Sequence, residues 1–239
     1  MNDYRINLNV DIHDVDFNGI ARTSAILKYM QSAAQSQLTD NGMSYNSLKS
    51  QGRAFILSKL RLEIYRPLPA YTPLVAASYP CESRGFTFLR GYSLMSGTET
   101  VARAMSAWAL INTDTRALVR VDDFNLGLPT SPASDLALMP LKMPLDNLID
   151  VGGYGVHYAD VDQNEHMNNT RYPDMYANYL PLRNKMISSI SISYVNEAPI
   201  AEKLRVLRAS DDDALYFRTV RKDGKINSDA RITLANLTL

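Results

Sequence analysis

Two stretches of this 239-residue chain repeat each other at a constant distance. Asp14-Val15-Asp16, followed by Asn18, returns as Asp160-Val161-Asp162, followed by Asn164, an offset of 146 positions at both ends. Each copy follows a strand-like run and feeds an amphipathic one, with Thr23 and Asn169 at matching helix starts. A repeat of this length implies one supersecondary plan used twice. Each polar loop favours a turn and cap over regular structure, because short polar side chains compete for backbone hydrogen bonds.

The rest of the chain fits that plan. Residues 4–13 alternate polar and apolar, as a half-buried strand does. From Thr23, the apolar residues Ile26, Leu27, Met30, Ala33, Ala34 and Leu38 recur at helical spacing, and Gly42 suits the C-cap of a helix of about four turns. Strand-like runs follow at 54–65, 74–79, 87–95, 101–112 and 117–121. Residues 127–146 hold four of the eleven prolines and little periodicity, which reads as a linker. The pattern then restarts with a strand at 151–158, a polar loop, a helix at 170–180 and strands at 187–195, 203–209, 214–221 and 230–239. Asn168 or Asn169 is the expected N-cap, and Pro173 is tolerable only in a first helical turn. Gly152-Gly153-Tyr154-Gly155 precedes no helix, so it reads as a flexible turn rather than a phosphate loop. A helix followed by antiparallel strands, twice, predicts an α+β fold. The expected units are an N-terminal half at 1–126, a linker at 127–149 and a C-terminal half at 150–239.

The repeat is most informative where it breaks. His166 is matched by Ile20, and Glu197 by Pro67. A loop that served only as a cap would serve equally in both copies. One copy with extra titratable groups points to one working half and one supporting half.

Composition narrows the function. The formal net charge is zero, so nothing global suggests nucleic acid or a membrane surface as partner. The first residues lack a basic and then apolar signal segment, and no apolar run reaches the roughly 18 residues needed to span a bilayer. The one cysteine, Cys81, permits no intrachain disulfide and fits a reducing compartment. A cytoplasmic protein is therefore expected. His157 and His166 have no zinc-ligand spacing, so no metal or other cofactor is expected.

The string Asp162-Gln163-Asn164-Glu165-His166-Met167-Asn168-Asn169 resembles the D-x-N-x-H-x-N-N signature of the acyl-acyl-carrier-protein thioesterases. Trp108-Ala109-Leu110-Ile111-Asn112, with Asp114-Thr115-Arg116 and Arg120, is similar to that family's tryptophan strand and T-R turn. The resemblance implies a tandem (double) hot dog fold, each half a central helix wrapped by a curved antiparallel sheet. It implies hydrolysis of fatty acyl-ACP, with acyl carrier protein as partner and Asp162, Asn164, His166 and Glu197 as catalytic residues. Many plant members have cysteine directly after that Glu. Here the residue is Ala198, which makes a cysteine nucleophile hard to maintain.

The residues themselves are compatible with that chemistry. No G-x-S-x-G elbow signals a serine nucleophile, so water is the expected one. His166 and Glu197 form a coupled pair, with Glu197 favoured as base. Asp162 would orient His166 or Asn164, and Asn164 would offer an amide donor. Backbone N–H groups at Asn168 and Asn169 would receive the oxyanion. Ile26, Met30 and Ala34 would line one wall of an acyl slot, and strand 54–62 another, with Phe55 and Leu57 on one of its faces and Ile56 on the other. A basic docking face for an acidic carrier is sought among Arg171, Arg183, Lys185, Arg205, Arg208, Arg218, Arg221 and Lys222. Alternatives are an acyl-CoA thioesterase of the same fold and a non-catalytic acyl-binding module. A homodimer stays open.

Overall fold

The computed structural model describes residues 3–132 and 136–237. The N-terminal alternation becomes strand β1 (Tyr4–Asn9), and the first amphipathic run becomes helix α1 (Thr23–Asp40). Four longer strands and a short one follow: β2 (Arg53–Ile64), β3 (Pro73–Pro80), β4 (Phe88–Ser96), β5 (Glu99–Asn112) and β6 (Leu118–Val119). Beyond the proline-rich segment come β7 (Ile149–Gly155), helix α3 (Tyr172–Ala177), β8 (Lys185–Tyr194), β9 (Lys203–Ser210), β10 (Leu215–Val220) and β11 (Ile226–Asn236). A six-residue helix, α2 (Tyr45–Ser50), lies between α1 and β2.

All these strands join one antiparallel sheet, ordered β1-β3-β4-β5-β2-β8-β11-β10-β9-β7, with β6 attached to β5. The order is mirrored about the β2–β8 pair, so β5 corresponds to β11, β4 to β10, β3 to β9 and β1 to β7. At the join, Leu60 and Leu62 oppose Ile192 and Ile190, while Lys59, Arg61 and Glu63 oppose Ser193, Ser191 and Ser189. The period-2 alternation thus buries one face and leaves the other polar. Leu136 and Ala137 of the proline-rich segment lie against that outer side. Arg61 Nη1 donates to Ala137 O at 3.0 Å, and Cys81 packs there with Met105 and Leu136.

Several sequence expectations need correction. The second helix does not run to residue 180. A 3₁₀ turn (Asn169–Arg171) leads into α3, which stops at Ala177. Pro173 occupies its first turn as expected, but Pro181 lies ahead and bars helical backbone at the residue before it. Gly152, Gly153 and Gly155 lie inside β7, not in a turn before it. Gly152 takes φ +133° at a bulge on this edge strand, where glycine is tolerated. Helix α2 went unpredicted because six residues show no period; Ser44 caps it by accepting from Ser47 N at 3.2 Å. Residues 133–135 of the expected linker and the last two residues of the final expected strand lie outside the described residues.

The two matched helices fill their concave faces differently. At positions 146 apart, α1 presents Ile26 and Met30 to the core where α3 presents Tyr172 and Tyr176. Tyr176 stacks at 5.1 Å on Phe217, and its hydroxyl shares a 2.7 Å hydrogen bond with Ser228 Oγ. Asn227 Nδ2 donates to Tyr172 Oη at 3.0 Å. These tyrosines with their polar partners occupy the second half's interior. Helix α1 carries Ser32, Ala33 and Ala34 one turn further on, and small side chains leave space.

Candidate active site

The two polar loops fold alike. Asp16 Oδ1 accepts from Asn18 N at 2.8 Å, and Asp162 Oδ1 accepts from Asn164 N at 2.8 Å. Each is a tight Asx turn that fixes the following asparagine. The fourth turn position has left-handed backbone in both: Gly19 at φ +75° and Glu165 at φ +61°. Glycine takes that conformation without strain, whereas glutamate does not. The second loop therefore holds strain that the first avoids, as functional loops often do.

Past the turn, Ile20 bridges Pro69 while His166 bridges Pro199, and Ala21 N donates to Leu68 O as Met167 N donates to Ala198 O. Glu197 and Pro67 thus stand two residues before equivalent prolines, which supports matching them. His166 Nε2 lies 3.6 Å from Glu197 Oε2, with both side chains about one-third exposed (33% and 37%). That distance is longer than a hydrogen bond and leaves both groups open to solvent.

The first half reaches into this pair. Arg116, at the T-R turn after β5, places Nη2 at 3.4 Å from both Glu197 oxygens. Tyr45, on α2, donates its hydroxyl to Asn164 Oδ1 at 2.6 Å. That bond leaves the Asn164 Nδ2 donor directed elsewhere. Tyr45 was not foreseen, because its helix had no readable period. The first-half asparagine is used differently: Asn18 Nδ2 donates to Leu182 O at 2.8 Å and Lys185 O at 3.2 Å, and Asn184 N donates to Asn18 Oδ1 at 3.2 Å. Asn18 is a tie between the halves.

Asn168 is the cap. Its Oδ1 accepts from Thr170 N at 2.9 Å and Thr170 Oγ1 at 2.8 Å. Its own N–H donates to Asp160 O at 2.8 Å, so it is not available to an oxyanion, contrary to expectation. Asn169 N–H has no partner among the described residues. Asn169 Oδ1 accepts from Gln31 Nε2 at 2.7 Å, which ties the loop to α1. Asp162 spends its carboxylate on Asn164 N and orients that residue rather than His166.

A cavity of about 660 Å³ opens beside the loop. Asp162, Asn164, Asn168 and Asn169 border it from the second half; Ala34, Phe55 and Trp108 border it from the first. Ile26 and Met30 do not. They are 2% and 1% exposed and pack in the core beneath α1, where helical spacing alone could not tell cavity wall from core. Leu57 is likewise core, and Ile56 is not among the lining residues. Cys81 is buried in the outer cluster with Met105 and Leu136.

Half of the expected basic face is spent internally. Arg218 makes a two-pronged pair with Asp229 at 2.7 Å, Arg208 donates to Tyr179 O, Arg171 to Ala159 O and Arg221 to Glu197 O. Arg205 is 3.9 Å from Asp150, and Arg183 lies over the Phe17 ring. Four of the eight expected cations are thus bonded within the fold, while Arg205 and Arg183 make only exposed contacts. Among the described residues no three His, Cys, Asp or Glu side chains cluster as a metal site requires, and no helix is long and apolar enough to cross a membrane.

A strained Asp-Asn-His loop, a glutamate two residues before a bridging proline and an adjoining cavity, all set on one antiparallel sheet with few helices, define the class of this protein. The chain belongs to the acyl-ACP thioesterase family: residues 1–125 match the model of that family's N-terminal domain and residues 148–236 that of its C-terminal domain. It is 25% identical to an oleoyl-acyl carrier protein thioesterase of Arabidopsis thaliana, over 71% of this chain and 52% of that protein. It is 23% identical to the oleoyl-acyl carrier protein thioesterase of Coriandrum sativum, over 92% of this chain and 67% of the relative. The chain thus spans about half the length of the Arabidopsis relative. Its fold is that of an acyl-ACP thioesterase from Bacteroides thetaiotaomicron (TM-score 0.88, 17% identity, 98% of each chain). The 12:0-ACP thioesterase from Umbellularia californica is similar too (TM-score 0.83, 17% identity, 98% of this chain and 97% of that one).

Proposed function

We propose that this chain hydrolyses the thioester of a fatty acyl chain carried on acyl carrier protein, with water as nucleophile. The observation that carries the reading is the His166–Glu197 pair at 3.6 Å, on the half whose Asn164 borders the cavity. Ile20 and Pro67 at the matching first-half positions argue that the pair serves chemistry rather than folding.

Glu197 takes a proton from water, with His166 beside it sharing the charge change. Hydroxide attacks the carbonyl carbon. The oxyanion is received by the Asn164 amide, held by Tyr45, and by the Asn169 N–H. The tetrahedral intermediate collapses, the C–S bond breaks, and the carrier thiol leaves with the proton that the pair returns. The products are a free fatty acid and the carrier thiol. Asn164, His166 and Glu197 act at the carbonyl, and Asp162 positions Asn164. Ala34, Phe55 and Trp108 border the acyl slot.

The mirrored strand order supports reading the fold as a tandem hot dog. Its units are an acyl-slot half at 1–126, a linker at 127–149 and a catalytic half at 150–239. No cofactor is required.

Hydrolysis of an acyl-ACP series, beside acyl-CoA of equal chain length, tests the reading. Release of free fatty acid from acyl-ACP at a higher kcat/KM than from acyl-CoA is expected. A strong preference for CoA would move the chain to the CoA-thioesterase alternative. Slow turnover that survives Glu197→Gln would make it a binding module.

A further inference from the structure

An arginine borders the cavity from deep within the first half. Strand β4 alternates, so Phe88, Arg90, Tyr92 and Leu94 face inward beneath α1 and Leu89, Gly91 and Ser93 face away. The inward row is a core row, and three of its four members are apolar or aromatic. Arg90 is nevertheless 8% exposed, in a position where a leucine would be ordinary.

Its partners are neutral. Nη1 donates to Gln37 Oε1 at 2.7 Å and to Ser78 Oγ at 2.8 Å. Nε and Nη2 have no hydrogen-bond partner among the described residues, and no carboxylate there pairs with the guanidinium. Burial lowers its pKa from the ordinary arginine value, the direction expected for a cation held away from water. Nε and Nη2 are not sealed off, since Arg221 Nε is the one buried side-chain polar atom without a partner among the described residues; they open onto the cavity that Arg90 borders. The unused Nε–H and Nη2–H together form the side-on fork that accepts a carboxylate, or one oxygen, with two parallel hydrogen bonds.

The surrounding wall is mixed. Gln31, Ser32 and Gln35 border the same cavity from α1, opposite Phe55, Phe88 and Trp108. A slot built only for a methyl-terminated chain has no use for this. Filling it with plain alkyl would strip the guanidinium of remaining water and return no hydrogen bond.

We infer that Arg90 is a specificity subsite for an acyl chain bearing an acceptor oxygen away from the thioester, as carboxylate or hydroxyl. The inference rests on the thioesterase reading for the reaction but not for binding. A methyl-terminated chain of equal length pays the desolvation cost without compensation, so the site discriminates against it.

The test uses the full chain, in wild-type form and as Arg90→Met and Arg90→Lys. Three acyl-ACP substrates of equal length are compared, ending in methyl, hydroxyl or carboxylate. The wild type is expected to favour an oxygen-ended chain by at least about tenfold in kcat/KM. Arg90→Met should reverse the order, and Arg90→Lys, which keeps charge but loses the fork, should keep only part of the preference. The substrate arm that gains most tells carboxylate from hydroxyl. Binding of the methyl esters of decanoic acid, 10-hydroxydecanoic acid and decanedioic acid (monoester) to wild type and Arg90→Lys, by calorimetry, repeats the comparison without turnover. Preference for the methyl-ended ligand in both assays would overturn the subsite and leave the thioesterase reading intact. Absent hydrolysis with oxygen-selective binding would overturn the reaction and keep the subsite.

Discussion

Glu197 is approached from three sides by groups that the chain brings from far apart: His166 from the loop, Arg116 from the first half and, at its backbone carbonyl, Arg221 from just past β10. His166→Ala and Glu197→Gln should each lower kcat by about 10²–10⁴-fold, the usual contribution of an acid–base group. Both side chains are partly exposed and outside the core, so melting temperature should change little. If they act as one unit, the double variant should lose little more than the worse single one. Steady-state turnover on acyl-ACP beside thermal unfolding checks this; near-wild-type kcat for Glu197→Gln would refute it. Arg116 is 63% exposed, so its ion pair adds little stability. Its contact with both carboxylate oxygens predicts a part in aiming that group. Arg116→Gln should lower kcat about tenfold or more with unchanged melting temperature, and Arg116→Lys should restore part of it. A loss confined to KM would show instead that Arg116 contacts the carrier.

At the scale of elements, α1 and α3 divide the labour through side-chain size. Ala34 borders the cavity on α1, so Ala34→Leu should shorten the preferred acyl chain while kcat on the new best substrate stays within a fewfold. An unchanged chain-length profile would remove Ala34 from the wall. Helix α3 carries a different signature. Asp174 is partly buried in its first turn, and burial raises its carboxyl pKa, against the opposing Ser24 hydrogen bond and Arg171. A carboxyl raised on folding adds stability at pH below its unfolded value and loses it as pH climbs through the folded one. Asp174→Asn mimics the protonated form. It should therefore melt higher than wild type at pH 7, with the gap closing as pH falls through the carboxylate range. A wild type that is the more stable at pH 7 would show that Asp174 is wanted ionised.

For the whole molecule, the halves are joined by the β2–β8 pair, by one hydrophobic core to which both contribute, and by a few polar ties. Asn18 makes three hydrogen bonds to backbone at residues 182–185. Asn18→Ala should cost about 1–3 kcal/mol of stability, since it leaves partly buried backbone groups unpaired. Turnover should remain within a fewfold, because Asn18 is remote from the chemistry. Asn164→Ala should do the reverse: lower kcat, hold stability. Denaturant unfolding and turnover on the same two proteins test the contrast, and equal losses of turnover would defeat the division into working and supporting halves.

Sequence alone determined the two-fold plan, because a repeated Asx turn, a strand period of two and a helical period of 3.6 are local physics. It also singled out His166 and Glu197 as departures from a repeat that Ile20 and Pro67 otherwise complete, and the fold brings the two side chains to 3.6 Å. What it could not determine is which inward-facing residue becomes wall and which becomes core. Met30 and Ala34 lie on one helical stripe, yet only the packing of α1 against the sheet puts Ala34 at the cavity and Met30 under it. Nor could it pair groups 80 to 120 positions apart, so the contacts of Tyr45 with Asn164 and Arg116 with Glu197 came only with the fold. Periodicity specifies a residue's direction from its own backbone; what stands opposite is decided by the sheet register and by how the elements close over one another.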